Sequence, residues 1–339
     1  MLYGKAQIDG RGRPSEDRIC ILNLMDQCDL FAVFDGHSGS GAARLSVDLL
    51  GKRLQAALTP SLLADRAALK ALLEKVFIDH DKELATKVGL PEKDPGSTAT
   101  VALITPTYIA VAYLGDSPCF LMNPTTGLIL HEIGKHEPTL MEENRRIVAA
   151  GGTVEIDEYG IPRVDGALMV SRAFGDFSLK FDIESGPIPM SADWTKMKVT
   201  AHPDVVFWDR PETGVLAIMS DGMVETETTA LKPLAQVSRD VQLALQGNRY
   251  DLTLSSEKIV KQHVVASIGQ SKTPYDGDDL SIILVDVGRI SSAQAGGAVQ
   301  QRPHSAPPVL SAKPRTRKVR FGRRNKTGKK NRLIKIFTC

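Results

Sequence analysis

The chain has 339 residues, 42% hydrophobic and 24% charged, which is the balance of a soluble globular protein with room for a large core. Four cysteines (Cys20, Cys28, Cys119, Cys339) without paired spacing exclude a disulfide framework or a cysteine metal site, and no run of 18 apolar residues marks a membrane helix. The opening MLYGKAQIDGRGR also lacks the apolar stretch of a secretion signal.

The net charge of +2 conceals two unlike segments. From residue 289 onward there are 14 Lys and Arg and no Asp or Glu, so residues 1–288 carry −12. The charge break predicts a folded acidic domain over 1–288, a flexible linker over 289–312 rich in Ala, Pro and Gln, and a basic, disordered tail over 313–339.

In chain order, LFAVF (30–34) reads as a buried strand running into Asp35-Gly36-His37-Ser38-Gly39. Residues 40–58 place Ala43, Val47, Leu50 and Leu54 on one helical face, and residues 61–87 do the same with Leu69, Leu72, Leu73, Val76 and Phe77. Four β-like runs follow, STATVALI, YIAVAYLG, CFLMN and LILHEI, separated by TPT, GDSP and NPTTG, and predict an antiparallel meander. A short helix over 140–150 ends at the Gly151–Gly152 pair. Two more strands, GVLAIMS (214–220) and LSIILVDV (280–287), enclose a helical region. Strands grouped with strands, and helices in pairs, argue for an α+β fold.

Carboxylates recur where strands end: Asp35 after 30–34, Asp221 after 214–220, and Asp278-Asp279 before 280–287. A carboxylate just past a buried strand is held at the rim of the core, and three such sites could converge on a divalent cation. Oxygen-only ligation favours Mg²⁺ or Mn²⁺ over Zn²⁺. Each Asp-Gly taken alone is an ordinary turn signal, so composition and periodicity by themselves leave function open.

The motifs taken together narrow this. Ser-Glu-Asp (15–17), FAVFDGHSG (31–39), GSTATVALI (96–104), VAYLGDSPCFL (111–121), KHEPTLMEENRRIVAAGGTV (135–154), LMVSRAFGD (168–176), AIMSDGMVE (217–225) and DDLSIILV (278–285) occur in the order found in the type 2C, metal-dependent protein phosphatases. Over residues 3–287 the chain resembles that family. The resemblance implies two antiparallel β-sheets in a sandwich flanked by pairs of antiparallel α-helices. It implies hydrolysis of phosphoserine and phosphothreonine on proteins by a water activated between two Mg²⁺ or Mn²⁺ ions, without a phospho-enzyme.

Carried over by position, Asp35 would bridge the ions, Gly36 would offer its carbonyl, Asp221 and Asp278 would complete one shell, and Glu16 would hold waters on the other. Asp116 and Glu225 match a third, weaker metal position. His37 matches the general acid that protonates the leaving oxygen. The family's phosphate-gripping Arg falls on Gly12, flanked by Arg11 and Arg13. A one-residue deletion would favour Arg13 over Arg11 for the role, since its guanidinium suits two phosphate oxygens.

The chain departs from the family pattern at Pro118, where GDSP replaces GDSR, at Asp279, which replaces an Asn, and at Glu225, which replaces an Asp. The added charge of Asp279 would either tighten metal binding or be solvated. His136 is expected to be structural, and Cys20, Cys28 and Cys119 to be core residues.

The tail 315–337 has the basic density of a nuclear import signal, which points to an intracellular protein in the cytoplasm, the nucleus or both, and the same charge would suit contact with RNA or an anionic membrane. Lys318, Val319 and Phe321 also resemble the short motif that docks on type-1 protein phosphatase. The alternative to an enzyme is a phosphatase-fold scaffold, weak or inactive, that captures partners through this tail.

Overall fold

In the computed structural model the described residues are 1–10, 14–87, 94–183, 186–224, 232–270 and 277–288. The first part holds β1 (Tyr3–Ile8), β2 (Arg18–Met25), β3 (Cys28–Phe34) and the two-residue β4 (Gly36–His37), then α1 (Gly41–Ala57), α2 (Pro60–Ala64) and α3 (Arg66–Lys87). Next come β5 (Gly96–Ser97), β6 (Ala99–Ile104), β7 (Tyr108–Leu114), β8 (Cys119–Met122), β9 (Ile129–Glu132), α4 (Met141–Ala149), β10 (Val154–Ile156), β11 (Pro162–Val164), β12 (Phe174–Gly175) and α5 (Phe177–Lys180). The remainder holds β13 (Asp204–Asp209), β14 (Val215–Met219), α6 (Leu234–Gly247), α7 (Leu252–Gln270) and β15 (Leu280–Asp286).

Two five-stranded antiparallel sheets, ordered β1-β15-β14-β8-β9 and β13-β7-β6-β3-β2, form the sandwich. Side chains alternate between the two faces, so the central strands β6, β7, β8 and β14 are buried along their whole length. On β3, Phe31 and Val33 enter the core between the sheets, while Leu30, Ala32 and Phe34 pack toward α1 and α3. On β15, Ile283 and Val285 enter the same middle core, and Leu280, Ile282 and Leu284 pack toward α6 and α7. Both faces of each sheet are therefore covered, giving four layers with helices outside and sheets inside. The predicted α+β class and sandwich are found.

The predicted meander is two separate hairpins. β6 pairs with β7 in one sheet, whereas β8 pairs with β9 and β14 in the other. Both hairpins share the middle core, but Ala110, Ala112 and Leu114 face the α1/α3 side while Phe120 and Met122 face the α6/α7 side. Gly115-Asp116-Ser117-Pro118 is thus a crossover between sheets. The helix predicted over 61–87 divides at Asp65, whose carboxylate accepts from the Ala67 and Ala68 N–H groups and so caps α3. The predicted end of α4 holds: Gly151 takes φ +79°, and Gly151 and Gly152 N–H donate to Val148 and Ile147 carbonyls. Cys20, Cys28 and Cys119 are buried in the core as expected.

Candidate active site

Asp35 leaves β3 at the rim of the sandwich. Its N–H donates to Thr98 Oγ1 at 3.2 Å, and its carbonyl accepts from Thr98 N–H at 2.9 Å. Thr98 Oγ1 meets Ser117 Oγ at 2.7 Å, and Thr100 Oγ1 donates to the Ser117 carbonyl at 2.8 Å. The Gly-Ser-Thr-Ala-Thr segment thereby ties Asp35 to the crossover that carries Asp116. His136 holds the other end of that crossover: it is buried, and its Nδ1 accepts from Gly115 N–H at 3.1 Å. Its role is structural, as the sequence suggested.

Asp221 begins a short 3-10 turn directly after β14. Ser220 and Ser281 lock β14 to β15 beneath it, with Ser281 N–H on Ser220 Oγ at 3.0 Å and Ser220 N–H on the Ser281 carbonyl at 3.1 Å. Asp278 precedes β15 and accepts from Asp279 N–H at 2.8 Å.

Glycines let these strand ends approach. A Cβ on Gly36 would sit 2.6 Å from the Glu16 carbonyl oxygen, and one on Gly222 would sit 2.2 Å from that of Asp279. A third glycine, Gly10, packs in the same way on the backbone of Gly277 and Asp278, with a Cβ there 2.4 Å from the Gly277 oxygen. The glycine beside each Asp thus admits neighbouring backbone.

The result is a buried nest of carboxylates. Asp35 lies well above the usual carboxylate range, through burial first and then the charges of Asp17, Asp221 and Asp116. Asp221 is pushed up to about 7, by burial first and then by Asp116, with Asp278 and Asp17 adding to it and a hydrogen bond from Asp35 working against it. Asp17 is pushed up to about 6, by burial first and with a contribution from Asp279. The Ser220 and Ser281 hydroxyls lie close enough to ease the charge on Asp17, yet neither of its buried oxygens has a partner with full hydrogen-bond geometry.

His37 stands beside this nest. Its Nε2 lies 2.8 and 2.9 Å from the two oxygens of Asp176, with 27% of the His37 side chain and 6% of the Asp176 side chain exposed. Burial disfavours the imidazolium, but Asp176, Asp116 and Glu16 outweigh it and raise the His37 pKa. Asp176 is itself held in place. It takes a left-handed φ of +50°, Asp94 accepts from the next two N–H groups (Phe177 at 2.9 Å, Ser178 at 2.6 Å), and Asp81 accepts from Gly175 N–H at 2.8 Å. Asp81 in turn pairs with Lys180 at 2.6 Å, both fully enclosed.

Of the residues singled out in the sequence, Asp35, Asp116, Asp221, Asp278, Glu16, Gly36 and His37 meet at this one rim. Arg11, Arg13, Glu225, Lys318, Val319 and Phe321 lie outside the described residues. Among the described residues, no three His, Cys, Asp or Glu side chains already converge as a ready-made metal-ligand set. Two residues of the site were not singled out: Asp17 and Asp176. Asp17 stood next to Glu16 in the same motif. Asp176 closes SRAFGD, but nothing in a spacing of 139 residues pairs it with His37. Asp279 does not face solvent: it is 4% exposed, and its carboxylate accepts two backbone N–H groups, from Gly10 and Glu16.

A family model for protein phosphatase 2C matches residues 1–230. The chain belongs to the protein phosphatase 2C family. It is 33% identical over 189 residues to probable protein phosphatase 2C 55 of Oryza sativa subsp. japonica, covering 55% of this chain and 48% of the relative. It is 32% identical over 233 residues to human probable protein phosphatase 1N, covering 67% and 50%. The alignment with probable protein phosphatase 2C 24 of Arabidopsis thaliana is longer, 29% over 312 residues, covering 85% and 79%. The chain thus spans about half the length of the first two relatives. A crystal structure of a phosphatase from Toxoplasma gondii superposes with a TM-score of 0.69 at 22% identity, covering 85% of this chain and 93% of that one, and so shares its fold.

Proposed function

We propose that this protein phosphatase 2C chain hydrolyses phosphoserine and phosphothreonine on proteins with the help of Mg²⁺ or Mn²⁺. The observation that carries the reading is the buried group of Asp17, Asp35 and Asp221, with Asp116 and Asp278 adding their charge. So much like charge in a dry site is costly unless a cation offsets it. The donors are all hard oxygens, the two Asp17 oxygens are buried without a full hydrogen bond, and the chemistry of the set fits Mg²⁺ or Mn²⁺.

Asp35, Asp221 and Asp278, with Glu16 and the Gly36 carbonyl, would hold two cations; Asp116 would contribute to a third position. Such ions lower the pKa of water and neutralise phosphate charge. The chain's own residues supply the rest. A serine or threonine alkoxide is a poor leaving group and needs a proton. His37 carries one, and the Asp176 carboxylate on Nε2 fixes the ring and favours the charged form. The glycine contacts let the backbone beside Asp35 and Asp221 pack directly on that of Glu16 and Asp279.

The test is phosphate release from a phosphothreonine peptide by the purified chain with Mn²⁺, with Mg²⁺ and with EDTA. Turnover that EDTA and Asp35→Ala both abolish is expected. A folded, metal-loaded chain with no turnover would instead favour the scaffold reading.

A further inference from the structure

One carboxylate holds both ends of the connection from β1 to β2. Asp279 Oδ1 accepts from Gly10 N–H at 2.7 Å and Oδ2 accepts from Glu16 N–H at 2.7 Å. Gly10 follows β1, which pairs with β15 as far as Ile8 opposite Leu280, and Asp279 is the residue just before that strand. Glu16 sits on the far side, with its carbonyl against Gly36. The Ser15–Asp17 turn is further fixed by Arg18 Nη1 on the Ser15 and Asp17 carbonyls at 2.6 and 2.7 Å, and by Gln7 Nε2 on Ser15 Oγ and the Asp17 carbonyl at 3.0 and 2.9 Å.

From this geometry we infer that Asp279 is a positioning residue, which sets Glu16 and Asp17 against Asp35 for cation binding by spanning two backbone donors with its two oxygens. The inference rests on the cation-dependent reading above. It explains why a carboxylate occupies this position although Asp17 and Asp278 crowd it with like charge. An ionised Asp offers two acceptor oxygens, whereas an Asn offers one and turns an NH₂ toward the second N–H. Hydrogen bonds from backbone N–H to a carboxylate are charge-assisted and short, as both are here. Both Asp279 oxygens are committed to this task, which separates it from the ligand roles of Asp35, Asp221 and Asp278.

The experiment is calorimetric titration of Mn²⁺ into the metal-free full chain for the wild type, Asp279→Asn, Glu16→Gln and the double variant, each checked for folding by circular dichroism. Loss of one charge-assisted hydrogen bond corresponds to Mn²⁺ affinity about tenfold to a hundredfold weaker in Asp279→Asn. The same change made on top of Glu16→Gln should add little, because the two act through one another. Unchanged Mn²⁺ affinity in a folded Asp279→Asn, with only a lower Tm, would overturn the inference in favour of a purely structural residue. An effect that adds in full to that of Glu16→Gln would overturn it in favour of a direct ligand.

Wild-type protein that binds no Mn²⁺ would overturn the cation-dependent reading along with it, and is distinguishable because no variant enters that result. A variant that does not fold is covered by hydrogen exchange on the metal-free wild type. The Gly10 and Glu16 amides should exchange slowly, and open-chain rates at both would overturn the inference.

Discussion

Both oxygens of Asp176 lie within 2.9 Å of a single nitrogen of His37, although the two residues are 139 positions apart. Asp176 reaches that place in a left-handed backbone conformation, held by Asp94 on one side and by the enclosed Asp81–Lys180 pair on the other. A non-glycine residue kept at positive φ by several converging hydrogen bonds is the kind of local strain found at functional sites.

If Asp176 orients a general acid, its loss should depend on the leaving group. Asp176→Asn should lower kcat on a phosphothreonine peptide by about a hundredfold, the scale of general-acid contributions. Turnover of p-nitrophenyl phosphate, whose leaving group departs without a proton, should fall far less. Equal losses on both substrates would show that Asp176 serves only the fold.

The sequence made the individual carboxylates legible because each ends a strand whose apolar pattern is plain, as with Asp35 after LFAVF and Asp221 after GVLAIMS. Helix faces were equally plain: Leu69, Leu73, Val76 and Phe77 are buried where three-to-four spacing put them. What stayed hidden are relationships across the chain. The crossover at Gly115–Pro118 has the composition of a hairpin turn, and only packing against different outer helices sends β7 and β8 to different sheets. Asp279 looked like surplus charge because its two donors come from the other end of the chain.

The glycine contacts predict which small change is not tolerated. Gly222→Ala would place a methyl 2.2 Å from the Asp279 carbonyl oxygen, and Gly36→Ala one 2.6 Å from that of Glu16. Neither neighbour is a flexible side chain, so backbone must shift, at a cost of about 1–3 kcal/mol each. Urea midpoints should fall accordingly, and Mn²⁺ affinity should fall with them, because the shifted backbone carries Glu16 or Asp279. Gly151→Ala is the useful control: nothing lies within 4 Å of its added Cβ, so only its φ of +79° is penalised and the acidic rim is untouched.

His80 predicts a loss of stability in mild acid. It is fully buried between α1 and α3, with Nε2 against Ser46 Oγ at 2.9 Å and no partner on Nδ1. Burial first, and then Arg53, push its pKa down to about 3 from the ordinary 6.5. The unfolded chain therefore takes up a proton that the folded chain refuses. Stability is complete above 6.5 and declines as pH falls from there toward about 3, by up to about 1.4 kcal/mol per pH unit. His80→Gln, which keeps a hydrogen-bonding amide without a titratable ring, should flatten that part of the curve of urea midpoint against pH. A slope unchanged by the substitution would assign the acid sensitivity to another group.

The acidic rim predicts the reverse trade at neutral pH. Asp221 has a folded-state pKa of about 7 against the ordinary 3.8, so its contribution to stability is present in acid, declines as pH rises above 3.8 and is fully lost above about 7. At about pH 8 the metal-free protein therefore holds a carboxylate that the fold disfavours, and a bound cation should relieve it. Asp221→Asn removes the charge without changing the shape. In EDTA at that pH the variant should melt above the wild type, by about 2–4 °C for each kcal/mol relieved in a domain of this size. Added Mn²⁺ should raise the wild-type Tm and leave that of the variant nearly unchanged, while phosphopeptide turnover is lost. Site residues that oppose stability in exchange for function behave in this way. A variant that melts lower than the wild type in EDTA, yet still gains stability from Mn²⁺, would mean that Asp221 supports the fold and does not hold the ion.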